Sequence, residues 1–243
     1  MTHAVLLDDE SSEAHTSLAH VKAIQDWDRS ASEQELRRAI RLNLRNSMAH
    51  HWYGMSCLVP LGRLDEAMQE LLTAQSLDPV SSIISRDGAQ ISHFQRNYKE
   101  ALEQCDYTIE QNPHFPAAYW TLGLVQEQRG ELEEAIAAIQ RAIELSPPAP
   151  RIVGSMARLY ALVGRKQDSL RLLNDLAPKR NVSPFELALT YFALGRKDEG
   201  FVRLAKAFED RCFELITIRK DPRFDEVRSD PRFIALLSQL GLP

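Results

Sequence analysis

The feature that most constrains this chain is a period. The segments GRLDEAMQELLTAQSLDP (62–79), RNYKEALEQCDYTIEQNP (96–113) and GELEEAIAAIQRAIELSP (130–147) align without gaps. Ala67, Ala101 and Ala135 are spaced by 34 residues, and so are Pro79, Pro113 and Pro147. Ser169 continues the alanine frame, and Gly200 follows after a shorter step of 31. A fixed period of this size means stacked units, none of which buries its apolar face alone.

The part of each unit before these segments also aligns. HHWYGMSCLVPL (50–61), SRDGAQISHFQ (85–95), YWTLGLVQEQR (119–129), VGSMARLYALV (153–163) and FELALTYFAL (185–194) carry apolar residues three and four apart. That spacing is one face of a helix. Breaks follow at Gly62, Arg96–Asn97, Gly130, Gly164 and Gly195, where glycine, or next best asparagine, can end a helix left-handed. The second helix then runs to a proline, which cannot continue it. Small residues at Gly54, Ala89, Gly123, Ala157 and Ala188, and at the alanine frame, let the two backbones approach closely. Leu71, Ile139, Leu173 and Leu204 fill the seam beyond. Unit 47–79 carries one extra residue, expected around Pro60.

Residues 116–147, with Tyr119, Leu122–Gly123, Ala135, Ile139, Ala142 and Pro147, resemble the tetratricopeptide repeat (TPR). The resemblance implies an all-α fold: a right-handed α-solenoid of about six helix pairs, near 12–44, 47–79, 82–113, 116–147, 150–178 and 181–212. In that family the first helices line the concave face. The inward positions are then His51, Met55 and Leu58 in the second pair, and Arg86, Gln90, His93 and Phe94 in the third. Trp120, Leu124, Glu127 and Gln128 follow in the fourth, Arg158 in the fifth, and Phe185, Leu189 and Phe192 in the sixth. Arg86, Trp120 and Arg158 are the preferred anchors, because aromatic and arginine residues dominate binding surfaces. TPR domains that clamp a carboxylate tail use lysine and asparagine where this chain has Arg86 with Gln90 and Trp120 with Leu124, so that clamp is not expected.

Two ends complete the array. Ala4, Leu7, Asp8 and Asp9 fall in frame with the Ala-x-x-Leu-Asp-Pro endings of later units. Residues 1–11 are therefore either a frayed tail or the end of a preceding repeat, in a chain that was once longer. Leu6, Leu7 and Leu18 would offer that edge for self-association. At the other end DPRF occurs twice, at 221–224 and 230–233. Aspartate can cap a helix and proline suits its first position, so 213–243 reads as a C-terminal cap. The stretch KDPRFDEVRSDPRFIALLSQLGLP also resembles the closing segment of bacterial multidomain regulators, in which such an array follows a winged-helix, kinase or adenylate cyclase domain. This chain has no glycine-rich nucleotide loop and no kinase catalytic-loop motif, so those outputs do not carry over.

The chain's net charge of −5 and pI of about 5.8 argue against direct nucleic-acid binding and against charge-driven membrane attachment. Three cysteines without a CxxC point to free thiols in a reducing, cytoplasmic setting. No apolar run is long enough to span a membrane. His50 and His51 are adjacent on a helix and point about 100° apart, so they cannot grip one metal as an i, i+4 pair could. Cys57 and Cys105 read as buried small hydrophobes, and Ser183-Pro-Phe-Glu186 as a capping box. No metal, cofactor or catalytic constellation is expected. The expected function is non-catalytic binding of a peptide or protein segment in the concave groove. The alternative is the sensing or assembly part of a bacterial signalling or transcriptional regulator whose output domain lies elsewhere.

Overall fold

The structure, a computed structural model, describes residues 9–146, 149–176 and 182–242, with Gln25 described in its backbone alone. Ala4, Leu6, Leu7, Asp8, Pro147 and residues 177–179, which the sequence reading invoked, lie outside this range.

Among the described residues the chain forms helix pairs joined by tight turns. They are α1 (Ser12–Val21) with α2 (Arg29–Leu42), α3 (Ser47–Trp52) with α4 (Leu64–Leu77), and α5 (Ser82–Phe94) with α6 (Tyr98–Gln111). Next come α7 (Pro116–Arg129) with α8 (Leu132–Leu145), α9 (Pro150–Leu162) with α10 (Lys166–Leu176), and α11 (Pro184–Ala193) with α12 (Lys197–Glu209). The local signals are the ones physical chemistry favours. Asp28 and Asn46 accept from the backbone N–H groups of Ala31 and Ala49 at 2.9 and 3.0 Å, while prolines open α7, α9 and α11. The turn inside each pair needs one left-handed residue. Glycine supplies it at Gly62, Gly130, Gly164 and Gly195, but Trp27 and Arg96 supply it in the first and third pairs. It is Arg96 that takes the positive φ, with Asn97 capping α6 after it.

The alanine frame marks where paired helices cross. Ala67, Ala101, Ala135 and Ser169 are completely buried. A Cβ on Gly54 would stand 3.0 Å from the carbonyl oxygen of Ala67, and one on Gly123 would stand 2.8 Å from Ile139. Burial of the seam residues Leu71, Ile139, Leu173 and Leu204 stabilises each pair by about 1.5–3 kcal/mol per side chain.

The extra residue of the second unit lies just before Pro60, in a π-helical turn at Tyr53–Leu58, where the Val59 N–H reaches the Gly54 carbonyl. A single inserted residue in a helix is absorbed in this way. The first pair has the same device at Lys22–Asp26, a feature not read from the sequence. Cap-to-cap spacing agrees: 17 residues from Ser11 to Asp28 and from Asn46 to Arg63, against 16 from Ser81 to Asn97.

After α12 the chain forms two 3₁₀ turns, Phe213–Thr217 and Pro222–Val227, and then α13 (Pro231–Gln239). The two DPRF words build the same unit. Asp221 and Asp230 each accept from the backbone N–H two residues on, at 3.0 and 2.9 Å. Arg223 and Arg232 each turn back onto that aspartate. Phe224 and Phe233 are fully buried, 5.6 Å apart between ring centroids. Each arginine also reaches a carboxylate of the last pair, Glu186 or Asp198.

This tail does more than cover the last pair. It returns to the first. The Arg29 guanidinium donates to the carbonyls of Leu240 and Gly241 in the tail, and Phe208 of α12 stacks edge-on against Trp27 at 5.7 Å. Leu18, offered by the sequence as an exposed edge, is buried.

Candidate functional site

At several of the inward positions expected for the concave wall, polar bonds tie consecutive pairs together. His51 Nε2 donates to Asp87 Oδ2 at 2.6 Å, linking the second pair to the third. Trp120 Nε1 donates to Ser155 Oγ at 3.0 Å, and Arg158 Nε to Glu127 Oε1 at 2.8 Å, linking the fourth to the fifth. Arg158 Nη1 also donates to the Leu189 carbonyl at 3.0 Å, reaching the sixth. Two of the three preferred anchors, Trp120 and Arg158, are therefore buried between pairs. The third, Arg86, is partly exposed, bridging Asp87 at 2.6 Å and donating to Gln90 at 2.7 Å. Burial opposes the Asp87 charge, yet Arg86 and His51 hold its carboxyl below the usual range. His50 turns away from the wall and bonds Glu70 at 2.6 Å.

Half of the wall is already covered, and by the chain itself. The first DPRF lies against the end formed by His93, Glu127, Phe185 and Phe192. Phe224 meets Phe185 and Phe192 at ring distances of 5.2 and 6.2 Å. Arg223 sits 5.9 Å over Phe185, with Nη1 3.6 Å from Glu186. Burial works against the Arg223 charge, but Asp221 and then Glu186 more than restore it. Burial pushes Glu186 up to about 7. It pushes His93 down to about 4, Asp221 opposing and Arg223 and Arg96 reinforcing. Phe94, Leu124, Phe185, Leu189 and Phe192 are all buried, as are Met55 and Leu58, so none presents an open apolar surface.

Glu186 corrects the sequence reading of a capping box. The Ser183 side chain makes no cap bond, and Glu186 points inward to the tail. Gly154 permits this, since a Cβ there would stand 3.0 Å from the Glu186 Cβ. The other half of the wall is left to Arg86, Gln90, Gln128 and a residue the sequence reading missed, Arg151. Its guanidinium lies 4.4 Å over the Trp120 ring. Burial lowers its pKa, and Arg86 lowers it further, so the two cations are neighbours. Arg151 opens α9 immediately after proline, a position that sequence patterning assigns to a cap rather than to a wall.

Among the described residues no group of three or more histidine, cysteine or acidic side chains could hold a metal. Burial pushes the Cys57 and Cys105 thiols up to about 12, far from a thiolate nucleophile. No helix among the described residues is long and apolar enough to cross a membrane.

Comparison with known proteins agrees with this architecture. The tetratricopeptide repeat family model matches residues 94–150. The human protein O-mannosyl-transferase TMTC1 is 23% identical over 195 residues, covering 70% of this chain and 21% of its own length. The chain thus spans about a fifth of that relative. Among solved structures, PilF of Pseudomonas aeruginosa superposes with a TM-score of 0.61 at 17% identity, over 95% of this chain and 98% of that one. TTC0263, a thermophilic TPR protein of Thermus thermophilus, gives 0.63 at 18% identity, over 82% and 100%. The chain is an all-α solenoid among its described residues, with a tetratricopeptide repeat match over residues 94–150 and a fold shared with these solved structures.

Proposed function

We propose that this chain is a non-catalytic interaction module whose concave wall takes an acidic peptide segment of a protein partner. The observation that carries this reading is the uncovered half of the wall. Arg86 has to share Asp87 with His51, and Arg151 meets no carboxylate within bridging distance among the described residues. Two neighbouring guanidiniums, of which Arg151 is bridged to no carboxylate among the described residues although Glu186, Glu214 and Asp87 act on it from farther away, favour an incoming one. Trp120 backs them as a rigid floor. The covered part supports peptide capture: the Asp-Pro-Arg-Phe segment, coiled in a 3₁₀ turn, already lies there, its arginine on a carboxylate and its phenylalanine in an aromatic well. The three free thiols suit a reducing cytoplasm.

The test is fluorescence polarisation with a labelled glutamate-rich peptide and a lysine-rich control. The acidic peptide should bind, and Arg86→Gln and Arg151→Gln should each weaken it about tenfold, the cost of one charge-assisted bond. Trp120 and Arg158 are unsuitable for this purpose, because their substitution disrupts the links between pairs. Equal binding by all three proteins, or none by wild type, would move the working surface elsewhere.

A second reading has one observation in its favour. In the human relative the matching region is a fifth of a longer protein, and on that pattern the chain would serve as the assembly part of a larger regulator.

A further inference from the structure

Four cations line one cavity of about 430 Å³, together with Leu64, Phe94 and Gln95. Arg96 comes from the turn between α5 and α6, while Arg219, Lys220 and Arg228 come from the tail. A single carboxylate is bridged to them: Asp225 meets Arg96 at 2.6 Å and Arg228 at 2.7 Å. Arg219 donates to the Leu61 carbonyl at 2.6 Å, and Arg228 to the carbonyls of Arg219 and Asp221. Lys220 has no carboxylate partner among the described residues. Burial lowers its pKa, and Arg219, Arg228 and Arg96 lower it further.

The cations are held over a space that only glycine leaves open. A Cβ on Gly62 would overlap the Lys220 side chain and stand 2.8 Å from Arg219 Nη1. Four positive groups against one negative, in a chain whose net charge is −5, is a local excess that leaves Lys220 without a carboxylate among the described residues. Three of the groups are guanidiniums, whose planar forks match tetrahedral oxyanions, and the fourth is a compact ammonium.

We propose that this cavity binds a phosphate dianion, either free or as the phosphoryl group of a monoester. The proposal is independent of the reading of the concave wall. Because Arg96 belongs to the third pair and the other three cations to the tail, a bound dianion would tie the tail to the solenoid at that point.

The test is isothermal titration calorimetry of the full chain with inorganic phosphate, with O-phosphoserine as second probe, at constant ionic strength in chloride. Saturable binding of either is expected. Lys220→Gln should weaken it about tenfold, as expected for a lost charge-assisted contact. Asp225→Asn should tighten it, because the competing carboxylate is gone. A purely structural cluster would respond in the opposite way, losing rather than gaining affinity or stability when Asp225 is neutralised. Tighter binding of phosphoserine would point to a phosphorylated partner, and tighter binding of phosphate to the free ion. No saturable binding by wild type and Asp225→Asn, or unchanged affinity in Lys220→Gln, would overturn the proposal.

Discussion

At the scale of single residues, the wall is governed by desolvation. Glu186 is fully enclosed, and burial outweighs the help of Arg223, so its carboxyl titrates near 7. A folded-state pKa above the unfolded value of about 4.3 means that the folded chain binds the proton more tightly. The associated stability is fully present below about pH 4.3 and is lost as pH rises through 7. His93 has the opposite sign, with a folded value near 4. Its contribution is complete above the unfolded value of about 6.5 and is lost as pH falls through 4. The two slopes oppose each other over most of the interval. In Glu186→Gln only the histidine slope remains, so thermal melts should show stability rising from pH 4 to 6.5 more steeply than in wild type. A variant with the wild-type profile would mean that Glu186 is ionised throughout. Neither residue was legible as a titrating group beforehand. Glu186 occupies a helix first turn, where acidic residues normally face solvent, and only the returning tail encloses it.

Among the secondary elements, what the sequence made legible was what repeats. The turns at Gly62, Gly130, Gly164 and Gly195 and the small crossing residues follow from period and spacing, because those features recur within 34 residues, whereas the left-handed Trp27 of the first pair does not. What did not repeat was harder to place. The extra residue of the second unit was assigned near Pro60, and it sits in the turn Tyr53–Leu58 just before it. The helices on either side keep their faces because the bulge takes up the rotation. Deleting Ser56 should therefore leave a folded chain with a continuous α3, losing less than about 2 kcal/mol, the scale of a modest substitution. Deleting Gln90 from α5, which has no bulge, should rotate half the helix by about 100° and abolish cooperative unfolding. Circular dichroism melts distinguish the two, and equal damage from both deletions would contradict this account of the bulge.

For the molecule as a whole, the tail is the part that patterning undersold. The doubled DPRF read as a cap over the last pair; its arginines reach Glu186 and Asp198 of that pair, its first copy also packs on Phe185 and Phe192, and the end of the tail reaches Arg29. Contacts between residues some 211 apart leave no periodic trace in a sequence. They change the expected thermodynamics. An open array unfolds as a sum of neighbouring interfaces, whereas a closed one should melt as a unit. Phe224 lies at the junction of Phe185, Phe192 and Phe233. Phe224→Ala should cost about 3–5 kcal/mol and split the calorimetric endotherm, with the last two pairs melting first. A single, merely shifted endotherm would mean that the pairs couple through their own interfaces alone.

The closure of the tail onto Arg29 has a mechanical consequence. A free solenoid behaves as a spring, able to lengthen its pitch a little at every repeat. Here the tail acts as the string of a bow, fastened at the first, third and last pairs. Bending anywhere along the outer arc must tighten or slacken that string. Load placed on the convex surface is thereby transmitted to Arg223 and Phe224, and slackening the string softens the entire arc.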